Sequence, residues 1–176
     1  AYKLPMNRLG NSFEHLRLNL EKVACRPIIA MNMLTSTYFQ ELAAFYSLNE
    51  NNLPLSYIEL GNEFYLNDEY YKEIFPSVND YMDMALQWAS DIKDIPNFQN
   101  TEIAIVGAIS KDNNHGRQRS WLDQVLERLK VANDVDAITL HDYINQPPAN
   151  TPCNGDLTAS GIENFLLQPC VHITNL

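Results

Sequence analysis

The chain has 176 residues, 45% of them hydrophobic and 19% charged, the balance of an ordinary globular domain able to bury a sizeable core. Its formal net charge of -10, with the few Lys and Arg scattered, argues against a nucleic-acid or anionic-membrane partner, which would draw on clustered cations. No apolar run approaches the roughly 20 residues that span a bilayer, so no membrane insertion is expected.

Ser12 as N-cap and Phe13, Leu16, Leu20 and Val23 at helical spacing predict a helix over residues 12 to 23, closed off by Pro27. The nearly continuous apolar run from Pro27 to Met33 predicts a strand buried on both faces. A second helix starts at Ser36 or Thr37, with Phe39, Leu42, Ala43, Phe45 and Tyr46 as its apolar face. The loop from Asn49 to Pro54 leads into Ser56-Tyr57-Ile58-Glu59-Leu60, where period-two alternation sets Ile58 and Leu60 against Tyr57 and Glu59. Gly61 punctuates that strand and lets the chain turn, so Asn62 and Glu63 stand at its end.

An aromatic, acidic loop runs from Phe64 to Tyr71, and its rings offer either stacking faces for sugars or packing against the next helix. That helix, over 78 to 93, starts behind Pro76-Ser77 and carries Tyr81, Met84, Ala85, Trp88 and Ile92. Residues 102 to 109 are expected to form another apolar strand, then a polar loop with His115 and a helix with Trp121, Leu122, Val125, Leu129 and Val131. Both tryptophans read as core. The strand from Asp136 to His141 ends in His141-Asp142-Tyr143, and a short helix near 160 to 167 precedes a strand-like tail. Cys25 reads as a small buried apolar residue, whereas Cys153 and Cys170 flank one loop segment and could be bridged. Three cysteines so widely spaced make no zinc pattern, and a bound metal is not expected.

Alternating amphipathic helices and apolar strands define an α/β fold with a parallel sheet. An open doubly wound sheet would carry a Gly-rich turn after its first strand, but that turn reads Asn32-Met33-Leu34-Thr35-Ser36. A (β/α)8 TIM barrel collects its site from the C-terminal ends of its strands, where Asn32, Asn62, Glu63, His141 and Tyr143 all fall. Such a barrel takes about 250 residues. The chain, with no initiator Met and an end at Val171 to Leu176 inside a strand-like run, is therefore expected to be a fragment of one such domain over 1–176. Its expected neighbour is the remainder of the same barrel, as further sequence or as a separate chain, because four strands alone leave two unpaired edges.

Ile58-Glu59-Leu60-Gly61-Asn62-Glu63 resembles the fourth-strand signature of clan A glycoside hydrolases, the retaining (β/α)8-barrel enzymes, heparanase-like and arabinofuranosidase-like members above all. Thr139-Leu140-His141-Asp142-Tyr143 is similar to the end of their sixth strand. The resemblance covers strands three to six, residues 27 to 143. It implies a glycan substrate and no cofactor, Glu63 as general acid/base, Asn62 on the substrate 2-hydroxyl, His141 and Tyr143 along the sugar subsite, and an extracellular or lysosome-like location. Asn32 joins them as a substrate-side candidate by its place at a strand end.

Retention needs a second carboxylate roughly 5 to 5.5 Å from the acid. Glu163, at helical spacing with Phe165 and Leu166, reads as solvent-facing, so the nucleophile is expected outside this chain. Glu59 reads as a structural residue hydrogen-bonded to Asn32 in a polar layer. The alternative is a catalytically inactive, barrel-derived carbohydrate-binding or structural protein. A strand-end Glu beyond Leu176 separates the two. An open α/β domain with unrelated chemistry would instead show a phosphate at a helix N-terminus.

Overall fold

The computed structural model describes residues 13–109 and 116–141. Over this range helices and strands alternate as α1 (Phe13–Val23), β1 (Ile28–Ala30), α2 (Tyr38–Glu50), β2 (Tyr57–Leu60), α3 (Glu69–Ile74), α4 (Val78–Lys93), β3 (Glu102–Val106), α5 (Arg117–Leu129) and β4 (Ala137–Thr139). The four strands form one parallel sheet in the order β1-β2-β3-β4. Each strand therefore pairs with the next one in sequence after a helical crossover, and the order does not reverse among the described strands.

Register explains the two faces of the sheet. Ile58 pairs with Ile103 and Leu60 with Ile105, and these four side chains are wholly buried beneath the helices. The opposite face holds Glu59 beside Ala104, and Ala104 beside Ala137. It is far less covered: Ile28 is 55% exposed, and Ala137 and Thr139 are only half-buried. The core thus sits on the helix side, where α4 contributes Val78, Tyr81, Met82, Ala85, Trp88, Ala89 and Ile92 at helical spacing. Burying each large apolar side chain contributes about 1.5 to 3 kcal/mol, so α4 is a principal stabilising element.

Helix starts follow local chemistry. Thr37 caps α2 in a reciprocal box with Gln40, and Ser77 caps α4 in the same way with Asp80. Asp68 accepts a hydrogen bond from the Tyr70 N–H and nucleates α3, a six-residue helix inside what the sequence presents as an aromatic loop.

Several expectations need correction. β1 ends at Ala30, short of Met33, because the Asn32 side-chain oxygen accepts from the N–H groups of Leu34 and Thr35 and folds the chain into a turn. Nor is β1 buried on both faces: Ile28 and Ala30 on one face are exposed, and among the described residues it has one strand neighbour. The apolar stripe of α1 is largely uncovered: this helix buries no residue, and only Leu20 packs against the core. Cys25 is exposed in the turn after α1. Trp88 and Trp121 are core residues, as their spacing indicates. His115, Tyr143, Cys153, Glu163, Cys170, the helix near 160 to 167 and the tail lie outside the described residues. Among the described residues no helix is long and apolar enough to cross a membrane.

Candidate functional site

Asn32, Asn62, Glu63 and His141 all stand just past the C-terminal ends of parallel strands, so the sheet delivers them to one end of the molecule. The turn after β2 is tightly specified. Gly61 has φ 104°, and a β-carbon there would fall 2.1 Å from Phe64 Cε2, so only glycine fits. Two residues on, Glu63 itself adopts φ 51°, a left-handed conformation that costs a non-glycine residue of order 1 kcal/mol. Packing and a turn hydrogen bond offset this strain. Phe64 and Tyr65 are buried, and the Leu66 N–H closes the turn on the Glu63 carbonyl at 2.9 Å.

Glu63 is held at one oxygen. The Tyr65 hydroxyl lies 3.1 Å from Oε1, and His141 Nδ1 lies 3.3 Å from the same atom. Among the described residues no donor engages Oε2. The other imidazole nitrogen, Nε2, is 3.0 Å from Glu59 Oε1, which also accepts the Thr139 hydroxyl at 2.5 Å. One histidine ring from the end of β4 thus spans two carboxylates from β2. It reaches across β3 because the residue of β3 beside Glu59 is Ala104, whose side chain leaves the space open. Glu59 does not pair with Asn32 as the sequence suggests. The Asn32 amide is consumed by its own turn, its nitrogen donating to Thr35 Oγ1 at 2.6 Å.

A deeper layer fixes the backbone beneath these groups. The Tyr81 hydroxyl donates to the Leu60 carbonyl at 2.7 Å and accepts the Val106 N–H at 2.9 Å. Trp121 Nε1 donates to the Val106 carbonyl at 2.9 Å. Complete burial drives the Tyr81 phenol far above its ordinary range, so it stays a neutral hydroxyl able to donate and accept at once. Leu60 immediately precedes Gly61, which makes Tyr81 the clamp on the turn that carries Glu63. Sequence spacing puts Tyr81 on the buried face of α4 but carries no sign of this bond.

Asn32 and Asn62 open on a separate cleft of about 280 Å³, shared with Leu34, Phe64 and Tyr71. Glu63 and His141 do not line it. A larger depression of about 420 Å³, lined by Arg17, Glu21, Cys25 and Asn52, lies at the opposite end of the strands and holds none of the candidate residues. Of the loop aromatics, Phe64 and Tyr65 pack inward, while Tyr71 is half-buried at the cleft and Tyr70 is exposed. Among the described residues no group of three His, Cys, Asp or Glu side chains is arranged to hold a metal ion. Glu59 and Glu63 instead flank opposite nitrogens of one ring.

No family model, curated protein or solved structure matches the chain. The clan A resemblance is therefore carried by the runs Ile58 to Glu63 and Thr139 to Tyr143 alone.

Proposed function

We propose that this chain is part of a retaining glycoside hydrolase of the (β/α)8 type, in which Glu63 is the general acid/base. The observation that carries the reading is the one-sided restraint of Glu63: Tyr65 and His141 occupy Oε1, and among the described residues no donor meets Oε2, which the reading gives to a leaving-group oxygen. A shielded carboxyl with one committed and one open oxygen suits a group that must give a proton and later take one back. The sequential parallel order and the gathering of polar residues at the C-terminal strand ends support the barrel.

In the proposed reaction Glu63 protonates the glycosidic oxygen while a second carboxylate, from a later strand of the same barrel, captures the sugar carbon. Glu63 then deprotonates the water that releases the sugar. Asn62, beside the acid and on the cleft with Asn32, is assigned to a sugar hydroxyl, and Tyr143 with His141 to the subsite wall. The uncovered face of the sheet, with Ile28, Ala137 and Thr139, is assigned to the remaining strands. The location assigned is extracellular or lysosome-like.

Hydrolysis of a panel of aryl glycosides by full-length protein and by Glu63→Gln tests the assignment. The variant should lose about 100-fold or more in kcat/KM on poor leaving groups, the usual worth of a general acid. Equal activity of the two would remove Glu63 from the mechanism. Glycan binding without turnover by the wild type would identify the alternative, a carbohydrate-binding relative of such enzymes.

A further inference from the structure

We propose that Glu59 is a positioning residue for the acid: from the middle of the sheet it fixes the His141 ring, and the ring in turn fixes the Oε1 side of Glu63. The inference rests on the reading of Glu63 as the general acid.

Register supplies the frame. Glu59 pairs with Ala30 of β1 on one side and with Ala104 of β3 on the other, and Ala104 pairs in turn with Ala137 of β4. Residues in register across a sheet present their side chains to the same face, so Glu59 is the one long side chain in a row whose other members are alanines. That row leaves a channel over β3, and two groups from the β4 side cross it to the same atom. The Thr139 hydroxyl donates to Glu59 Oε1 at 2.5 Å, and His141 Nε2 stands 3.0 Å from it. Parity in the sequence makes Glu59 a polar member of an inner layer; the row of alanines around it makes it an anchor.

The acid needs such an anchor. Its backbone is set by the turn at Gly61, but its carboxyl still rotates about the side-chain torsions. Tyr65 meets Oε1 at 3.1 Å, yet it belongs to the same turn and travels with it. Among the described residues the contact that ties Oε1 to another strand is His141 Nδ1, at 3.3 Å. That ring stands past the end of β4, and its side chain is 23% exposed against 9% for Glu59, so the deeper carboxyl, on a strand paired along both edges, is the fixed partner. A ring nitrogen and a carboxyl are joined whichever of them holds the shared proton, so the restraint is one of place. Misplacing a reacting group by about 1 Å can cost on the order of 100-fold in rate.

Ala104→Leu tests this without removing a polar group, because the larger side chain fills the channel that the ring crosses. In the full-length protein Ala104→Leu and Glu59→Ala should each lower kcat about 10- to 100-fold on an alkyl glycoside, with KM little changed. Each should stay within about 3-fold of wild type on a 2,4-dinitrophenyl glycoside, whose leaving group needs no acid. Glu59→Gln keeps the length and hydrogen-bonding reach of the side chain and should recover most of the loss. Equal losses on both glycosides, or a Glu59→Gln as impaired as Glu59→Ala, would overturn the proposal. Crystal structures of the full-length protein supply a readout that needs no activity. The wild type should hold the ring between the two carboxyls, and Glu59→Ala should show the ring and the Glu63 carboxyl displaced together. A ring elsewhere in the wild type, or an unmoved Glu63 carboxyl in Glu59→Ala, defeats the assignment whether or not Ala104→Leu folds. Wild-type protein that cleaves neither glycoside refutes the reading of Glu63 as the acid, and the crystal structures still decide whether Glu59 places the ring.

Discussion

The two ends of the sheet are both tied together by polar side chains, yet they are built differently. At the N-terminal end Lys93 donates to the Thr101 carbonyl and to Asp136, each at 2.9 Å, and Asp136 accepts the Ile103 N–H at 2.8 Å. The Thr101 hydroxyl completes the knot on the Leu55 carbonyl at 2.8 Å. Each donor there meets a fixed acceptor, so the cluster joins the starts of β2, β3 and β4 and offers little to a ligand. At the C-terminal end one ring is shared by two carboxylates, Glu63 stands in a left-handed conformation, and among the described residues no donor meets its Oε2. Satisfied polar groups stabilise, whereas a strained and half-satisfied cluster is the kind of arrangement maintained at working sites.

Substitutions at each end sharpen this contrast. Gly61→Ala should have the largest effect, because it combines φ 104° with a β-carbon 2.1 Å from the Phe64 ring. A loss of about 3 kcal/mol or more is expected by urea denaturation, together with loss of the proposed hydrolysis. Tyr81→Phe strands the Leu60 carbonyl and the Val106 N–H, both buried, at a cost of about 1 to 3 kcal/mol. It should also lower kcat on poor leaving groups, since the same bond fixes the turn that carries Glu63. Asp136→Ala should cost about 1 to 2 kcal/mol and leave kcat/KM unchanged once the protein is folded. If Asp136→Ala impaired hydrolysis as much as Tyr81→Phe, the division of labour between the ends would be wrong.

Much of this plan was legible in the sequence. Period-two alternation from Tyr57 to Leu60 assigned the faces of β2, and Ser77 marked the start of α4, because these are local signals. Partners across the sheet were not. Parity assigns Glu59 to a face, but register and the size of the intervening residue decide what it meets, and Ala104 reads in the sequence as one more member of an apolar run. The same limit hid the Tyr81 clamp, whose helical spacing reports burial but not the hydroxyl's partners. The short α3 was missed because six residues carry too little periodicity to register.

The smallest expected effect concerns the start of α4, which lies at the site end of the sheet yet contributes only to folding. Asp80 is held below the ordinary carboxylate range, first by the Ser77 hydroxyl and then by the Ser77 backbone N–H. A carboxyl lowered in this way adds stability above its unfolded value of about 3.9, and that stability is lost as the pH falls through the folded value. Separately, Ser77→Ala removes the helix N-cap and should cost about 1 kcal/mol, the usual worth of such a cap. The difference between wild type and Asp80→Asn should narrow as the solution is taken below about pH 4, measured by urea denaturation at both pH values. Neither variant should alter the leaving-group dependence of hydrolysis, because the capping box acts on the helix and not on the turn that carries Glu63. A change in that dependence would extend the functional region from the turn into the helix behind it.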